Sequence, residues 1–342
     1  MKKQAVSGAL SCLRIFATVA VVISHAWSTL TDNLDMFSVT PSESIFLTTA
    51  YSLTKWAVPV FFMITGALFL RRDKQISIRD CIVKYAKRML LALVIFGIPY
   101  GVLMSLFETK RVSFFLLPDA LIRVLNGESF GHLWYLYTLI GIYLFLPVIK
   151  AFTDRATKGQ LGYLLLILFV FNFCFPMVDT LAGTHIAFKL PLTTYPLFYL
   201  LLGHYFYNEK PQWTQAAWIP VAGTAVSVTV VLAVGIAGLP LGYVMDYSRP
   251  VCALFAASLF LLFNRIKKPA SERVWALDRL CFGVYLIHTL FIQFVYKFLH
   301  ITPIGTPLYP VLAVVFALVF TVLSFAASWV MAQIKPLKKY VL

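Results

Sequence analysis

Charge is scarce in this chain. Of its 342 residues only 13% are charged, with Asp+Glu 14 against Lys+Arg 29. A soluble domain carries about 25% charge, so a water-facing surface is excluded for most of the sequence. Cysteine is also sparse: Cys12, Cys81, Cys174, Cys252 and Cys281 show no metal-type spacing. Cys174 and Cys252 both fall toward the outer side, where a disulfide can form, and small apolar fillers in helix packing suit all five. A nucleotide-binding glycine-rich loop, a His-Glu-x-x-His pair and a serine nucleophile elbow are missing. Their absence argues against metal-dependent and ATP-driven mechanisms. No internal repeat suggests the inverted halves of a secondary transporter.

What remains is hydrophobic: 60% of the residues, with mean hydropathy +0.83. Runs long enough to cross the roughly 30 Å hydrocarbon core lie at about residues 9–30, 48–70, 88–107, 131–150, 161–178, 192–207, 214–236, 249–264, 280–299 and 308–334. The sixth and eighth are the shortest. The pattern predicts an all-α, polytopic transmembrane bundle of about ten helices. No connection is large enough for a core of its own, so residues 1–342 read as a single transmembrane domain with no separate soluble domain.

The basic excess follows topology. With the N-terminus inside, 21 of the 29 Lys and Arg fall on inner segments: Lys2 and Lys3, then those within 71–88, 150–158, 210, 265–279 and 335–339. Outer segments receive six: Lys110, Arg111, Arg123, Lys189, Arg249 and Lys297. Arg14 and Lys55 lie within spans. This bias puts both termini in the cytoplasm and removes the argument for a nucleic-acid partner. The first span has the basic start of a signal peptide, but it is long, holds Arg14 and lacks a small-residue cleavage site, so it reads as retained.

Two ionisable residues share that first span. Arg14 and His25 are eleven positions apart, which in a helix is about 20° of net rotation and about 16 Å of rise. They occupy one face, half a bilayer apart. Ionisable residues inside a span are costly and usually face a protein interior or wet cavity. A guanidinium near the inner boundary can clamp phosphates as a fork, and can equally snorkel to headgroups. His25, deeper in, can accept a proton from a sugar hydroxyl or attack a thioester itself, or simply hydrogen-bond across a helix interface.

Further polar residues join them as candidates. Arg88 opens the third span after Lys84 and Lys87 in KYAKR, where cations can form a donor-binding mouth or merely enforce orientation. The basic stretch 71–87 would attract anionic lipid headgroups or a phosphorylated substrate. His132 and Trp134 begin the fourth span in GHLWYLY, as site residues or as an interfacial aromatic belt. His288 sits mid-span in FGVYLIHTLFI with Tyr285 three residues earlier on nearly the same face. Lys55 can bind an anionic acceptor or snorkel outward. Thr65 and Gly66 form a cavity wall or a packing notch. Two outer connections, 108–130 and 179–191, could cover an outward-facing site, or the first could be an interfacial amphipathic helix with Arg123 at its polar edge.

Arg-x10-His in the first span, VPVFFMITGALFL, KYAKR, HLWYLYTLIGIYLFLPVI and FGVYLIHTLFI occur in this order. Together they resemble the acyltransferase family 3 integral membrane proteins, across essentially the whole chain. The resemblance implies a ten-helix enzyme of the bacterial inner membrane, of the stand-alone type. Such an enzyme takes an acyl group, usually acetyl from cytoplasmic acetyl-CoA, to a hydroxyl of a surface or lipid-linked glycan. It implies Arg14 and His25 as the essential pair, adds weight to Arg88, Trp134 and His288, and calls for no metal. Departures are Ser11, where relatives often carry an acid three residues before the arginine; Thr65, where a serine is common; and the basic pair around Arg88, whose partner is ambiguous. From the residues alone, a non-enzymatic exporter of glycan or lipid, with Arg14, Lys55 and His25 lining a polar path, is the alternative from another class.

Overall fold

The computed structural model describes residues 7–342 apart from 111, 113, 189, 191 and 193. Lys2, Lys3, Arg111 and Lys189, four cations of the topology argument, lie outside the described residues. Among the described residues the regular structure is helical throughout, with one isolated bridge between Ser7 and Pro269. Helix suits an apolar solvent because it satisfies every backbone N–H and C=O within its own segment.

Eight helical segments among the described residues are long and apolar enough to cross a membrane: Gly8–Thr31, Pro41–Phe69, Ile78–Leu106, Gly131–Arg155, Lys158–Ala182, Trp218–Ile236, Cys281–Phe298 and Tyr309–Met331. The other two expected spans are helical but shorter. Tyr195–His204 passes into the π-turn Tyr205–Glu209 and stops at Lys210, which has φ 47, before Pro211. Pro250–Phe263 begins on a proline, whose missing N–H suits a first turn. All five cysteines, Cys174 and Cys252 included, are free thiols.

The chain forms two compact units. The first contains residues 1–71 and 156–328, the second residues 72–155 and 329–342.

In the first unit, Gly8–Thr31 is an unbroken 24-residue helix with no proline inside. Ala17, Ala20, Val22, Ala26 and Leu30 are buried along it. Val22, Ala26 and Leu30 join Val284, Ile292, Ala313, Ala317 and Phe320 in one apolar cluster, and the Trp27 indole donates to the Ala313 carbonyl at 3.1 Å. Packing of small and branched residues, not water exclusion, holds such helices in lipid.

Elsewhere in this unit, helices Ala57–Phe69 and Tyr195–His204 approach until glycine meets backbone. A Cβ on Gly66 would stand 1.8 Å from the Leu200 carbonyl oxygen, and one on Gly203 would stand 2.0 Å from that of Met63. Gly66 is therefore a packing notch. We expect Gly66→Val to cost about 3 kcal/mol, because backbone cannot turn aside as a side chain does. Thermal unfolding in detergent checks this against Gly141→Val, where no atom lies within 4 Å of the added Cβ; equal melting of the two variants would contradict it.

The second unit contains Lys87–Thr109, entered through the π-turn Cys81–Ala86, together with Leu116–Asn126 and Trp134–Arg155. Leu116–Asn126 is amphipathic: Leu117, Ile122 and Leu125 are exposed while Ala120 and Val124 are buried. Its polar edge carries the Arg123 guanidinium, on Asp119 at 2.8 Å and on Glu108 at 2.5 Å. Hydrogen bonds from the Ser105 hydroxyl, first, and from Arg123 hold the Asp119 carboxyl below the usual carboxylate range. A lowered folded pKa contributes stability that is present above the ordinary value of about 4 and lost as pH falls through the folded one. Hydrogen-exchange protection across 116–126, taken relative to the intrinsic exchange rate at each pH, should thus fall below about pH 4, an effect that Asp119→Asn removes.

Candidate active site

Two tiers of polar contact join the first helix to the segment 272–293, both within the first unit. At the lower tier, Arg14 Nη1 donates to Asp278 Oδ1 at 2.7 Å, and the Ser11 hydroxyl donates to Asp278 Oδ2 at 3.0 Å. Asp278 ends the short helix Glu272–Asp278 and its side chain is 6% exposed, against 27% for Arg14. A carboxylate this deep is tolerable only when paired.

Eleven residues along, the His25 ring lies 5.1 Å from the His288 ring, centroid to centroid, at an interplanar angle of 48°. His288 is fully buried. Its Nδ1 is 2.9 Å from the Tyr285 carbonyl and 3.1 Å from that of Val284. A carbonyl can only accept, so Nδ1 carries a proton, and in the neutral ring Nε2 keeps the lone pair. Tyr285 does share the histidine's face, with ring centroids 6.3 Å apart.

Arg14 meets Asp278 and His25 meets His288, so the two segments run parallel. Ten residues separate the second pair of positions where eleven separate the first. Between the tiers lies a small cavity of about 10 Å³ lined by Thr18, Val21, Val22, Phe61, Val284, Tyr285 and His288, enough for about one water. Beyond the histidines, Gln293 Nε2 donates to Thr29 Oγ1 at 3.4 Å. Thr18 and Thr29 return their hydroxyls to the carbonyls of Arg14 and His25, 2.8 and 2.7 Å away, the usual way a helix satisfies a threonine internally.

The first helix is capped by Asp32, eighteen residues from Arg14 and on the same azimuth. Burial pushes its carboxyl up, opposed by the nearby charges of Lys55 and Lys297. Lys55 Nζ lies 4.8 Å over the Tyr51 ring. A cation, an acid and an aromatic face thus gather near that end of the helix.

Five other candidates belong to the second unit. Arg88 Nε donates to the Val341 carbonyl at 2.6 Å, and its Nη2 to the carbonyl of Leu342. Lys84 and Lys87 are exposed, with Lys84 Nζ 5.4 Å from the Tyr85 ring centroid. His132 is buried between Tyr100 and Phe130, at 5.3 and 5.4 Å, and Trp134 stands edge-on to Tyr135.

Sequence reasoning missed Asp278. One signal was available: an acid ten residues before His288, matching the arginine eleven before His25. Among the described residues no group of three or more His, Cys, Asp or Glu is arranged to hold a metal ion.

No curated protein and no solved structure matches the chain. The acyltransferase family 3 model, described as an acyltransferase domain, matches residues 7–332. That span includes both tiers, and the chain belongs to the acyltransferase family 3: it is a membrane acyltransferase.

Proposed function

We propose that this protein is an O-acyltransferase of the bacterial inner membrane, transferring acetyl from cytoplasmic acetyl-CoA to a hydroxyl of a surface or lipid-linked glycan. The outline resembles the stand-alone O-acetyltransferase that modifies enterobacterial common antigen. The observation that carries the reading is the pairing of two tiers on one unbroken helix. The Arg14 guanidinium and the His25 imidazole are set about 16 Å apart along the helix, close to the reach of a phosphopantetheine arm. Phosphates held at Arg14 on the inner side would present the thioester at His25 without the whole cofactor crossing. Arg88, Lys84 and Lys87 belong to the inner basic segment and would add to the attraction for the donor.

At the histidine, the lone pair of His25 takes the proton of the acceptor hydroxyl as its oxygen attacks the thioester carbonyl. The C–S bond breaks, and the departing thiolate receives that proton from the imidazolium. Ester and free CoA thiol are the products. His288, with Nδ1–H fixed on carbonyls, holds the adjacent ring in place and offers Nε2 as an acceptor. On the acceptor side, Asp32, Lys55 and the Tyr51 ring supply hydrogen-bonding and stacking groups suited to a sugar.

Purified protein incubated with acetyl-CoA and a glycan fraction tests the reading. Release of CoA thiol that depends on the glycan is expected. Absence of thiol release with every glycan fraction, from protein taken out of membranes that acetylate, would overturn a self-contained enzyme.

A further inference from the structure

We infer that Asp278 is a positioning residue for the donor site, holding the Arg14 guanidinium in the orientation that receives phosphate. The inference rests on the acyl-CoA reading above. The two carboxylate oxygens have separate partners: Oδ1 accepts from Arg14 Nη1 and Oδ2 from the Ser11 hydroxyl. The carboxylate is therefore pinned at both ends and buried, while Arg14 is engaged through one nitrogen and keeps part of its surface open. Arginine–carboxylate pairs are frequently bidentate, and this one is not. Here the fork's other donors are left for an incoming anion.

Burying a carboxylate beside the arginine also lowers the local positive charge, which works against phosphate attraction. The arrangement gives up charge for orientation, a trade that pays only if the direction of the guanidinium governs donor binding. The two possibilities have opposite signs. If charge alone captured the donor, removing the carboxylate would tighten binding; if orientation does, removal weakens it.

Ser11 and Arg14 are one helical turn apart, so a carboxylate at position 11 can reach the same guanidinium. Exchanging the two side chains, Ser11→Asp with Asp278→Ser, keeps the same groups in the same pocket and moves only the point of attachment. The experiment measures acetyl-CoA KM and kcat for wild type, Asp278→Asn and the exchange variant, all purified in detergent and checked for equal melting. Asp278→Asn should raise the donor KM about tenfold, the factor one charge-assisted hydrogen bond is worth, with kcat within about twofold of wild type. The exchange variant should return KM to within about threefold. A donor KM in Asp278→Asn that is unchanged or lower overturns the inference, and so does a folded exchange variant that stays as impaired as Asp278→Asn. Either result leaves the acyltransferase reading intact, whereas a wild type that releases no CoA thiol overturns that reading and the inference together.

Discussion

Replacing His25 by alanine lowers acyl transfer by about 10² to 10⁴, the usual contribution of a positioned general base, while the protein still folds. The fold should survive because the ring is half-buried and lies beside His288 rather than inside the apolar cluster of Val22, Ala26 and Leu30. His25→Gln is the more informative variant. Glutamine keeps the size and a hydrogen-bonding end but cannot take a proton at neutral pH. It should be as inactive as alanine, measured by CoA thiol release at saturating donor. An exporter needs only a polar lining and would tolerate it, so near-wild-type function in His25→Gln would favour export over catalysis.

Arg14→Ala carries the second large effect, and it acts on binding and stability at once. Loss of a charge-assisted contact to phosphate should raise the donor KM by about 10- to 100-fold. Arg14→Lys should fall between, since it keeps the charge and loses the planar fork. Stability changes because Asp278 is left buried without its cation, with the Ser11 hydroxyl still donating to it. Breaking a buried pair by removing one partner costs more than removing both. Arg14→Ala with Asp278→Ala should therefore melt higher than Arg14→Ala alone, though it recovers none of the donor affinity. A double variant no more stable than the single one would mean that the pair is too wet to matter for folding.

The tier at Arg14 shows which parts of the site could be read from the chain and which could not. Arg14 and His25 lie on one helix, and helical geometry alone fixes their common face and separation. Asp278 is 264 positions away from Arg14, and no periodicity reports such a pairing. The acid expected three residues before the arginine is a serine here, yet a carboxylate still stands beside the guanidinium, supplied from Glu272–Asp278 instead. His288 and Tyr285 were recognisable as a polar pair because they sit on one turn. Their meeting with His25 depends on the parallel packing of two distant segments.

Helix boundaries divide in the same way. Hydropathy located the spans but placed the start of the second at residue 48, whereas it begins at Pro41 behind a capping box in which Thr40 and Glu43 bond reciprocally. Thr-Pro-Ser-Glu is a legible helix start, hidden from a hydropathy reading because those residues are polar. The third begins at Ile78, ten residues before its apolar run, with Ser77 capping Asp80. The sixth and eighth spans, already the shortest by hydropathy, are helical over 195–209 and 250–263, with Lys210 at positive φ before Pro211 ending the first and Pro250 opening the second.

The most direct test of the central claim is the O-acetyl content of surface glycans, read by NMR in a deletion strain complemented with wild-type protein or with His25→Ala at equal expression. The account predicts that wild type restores an acetyl signal and His25→Ala does not. Restoration by both would contradict it, because acyl transfer would then proceed without the histidine on which the mechanism turns.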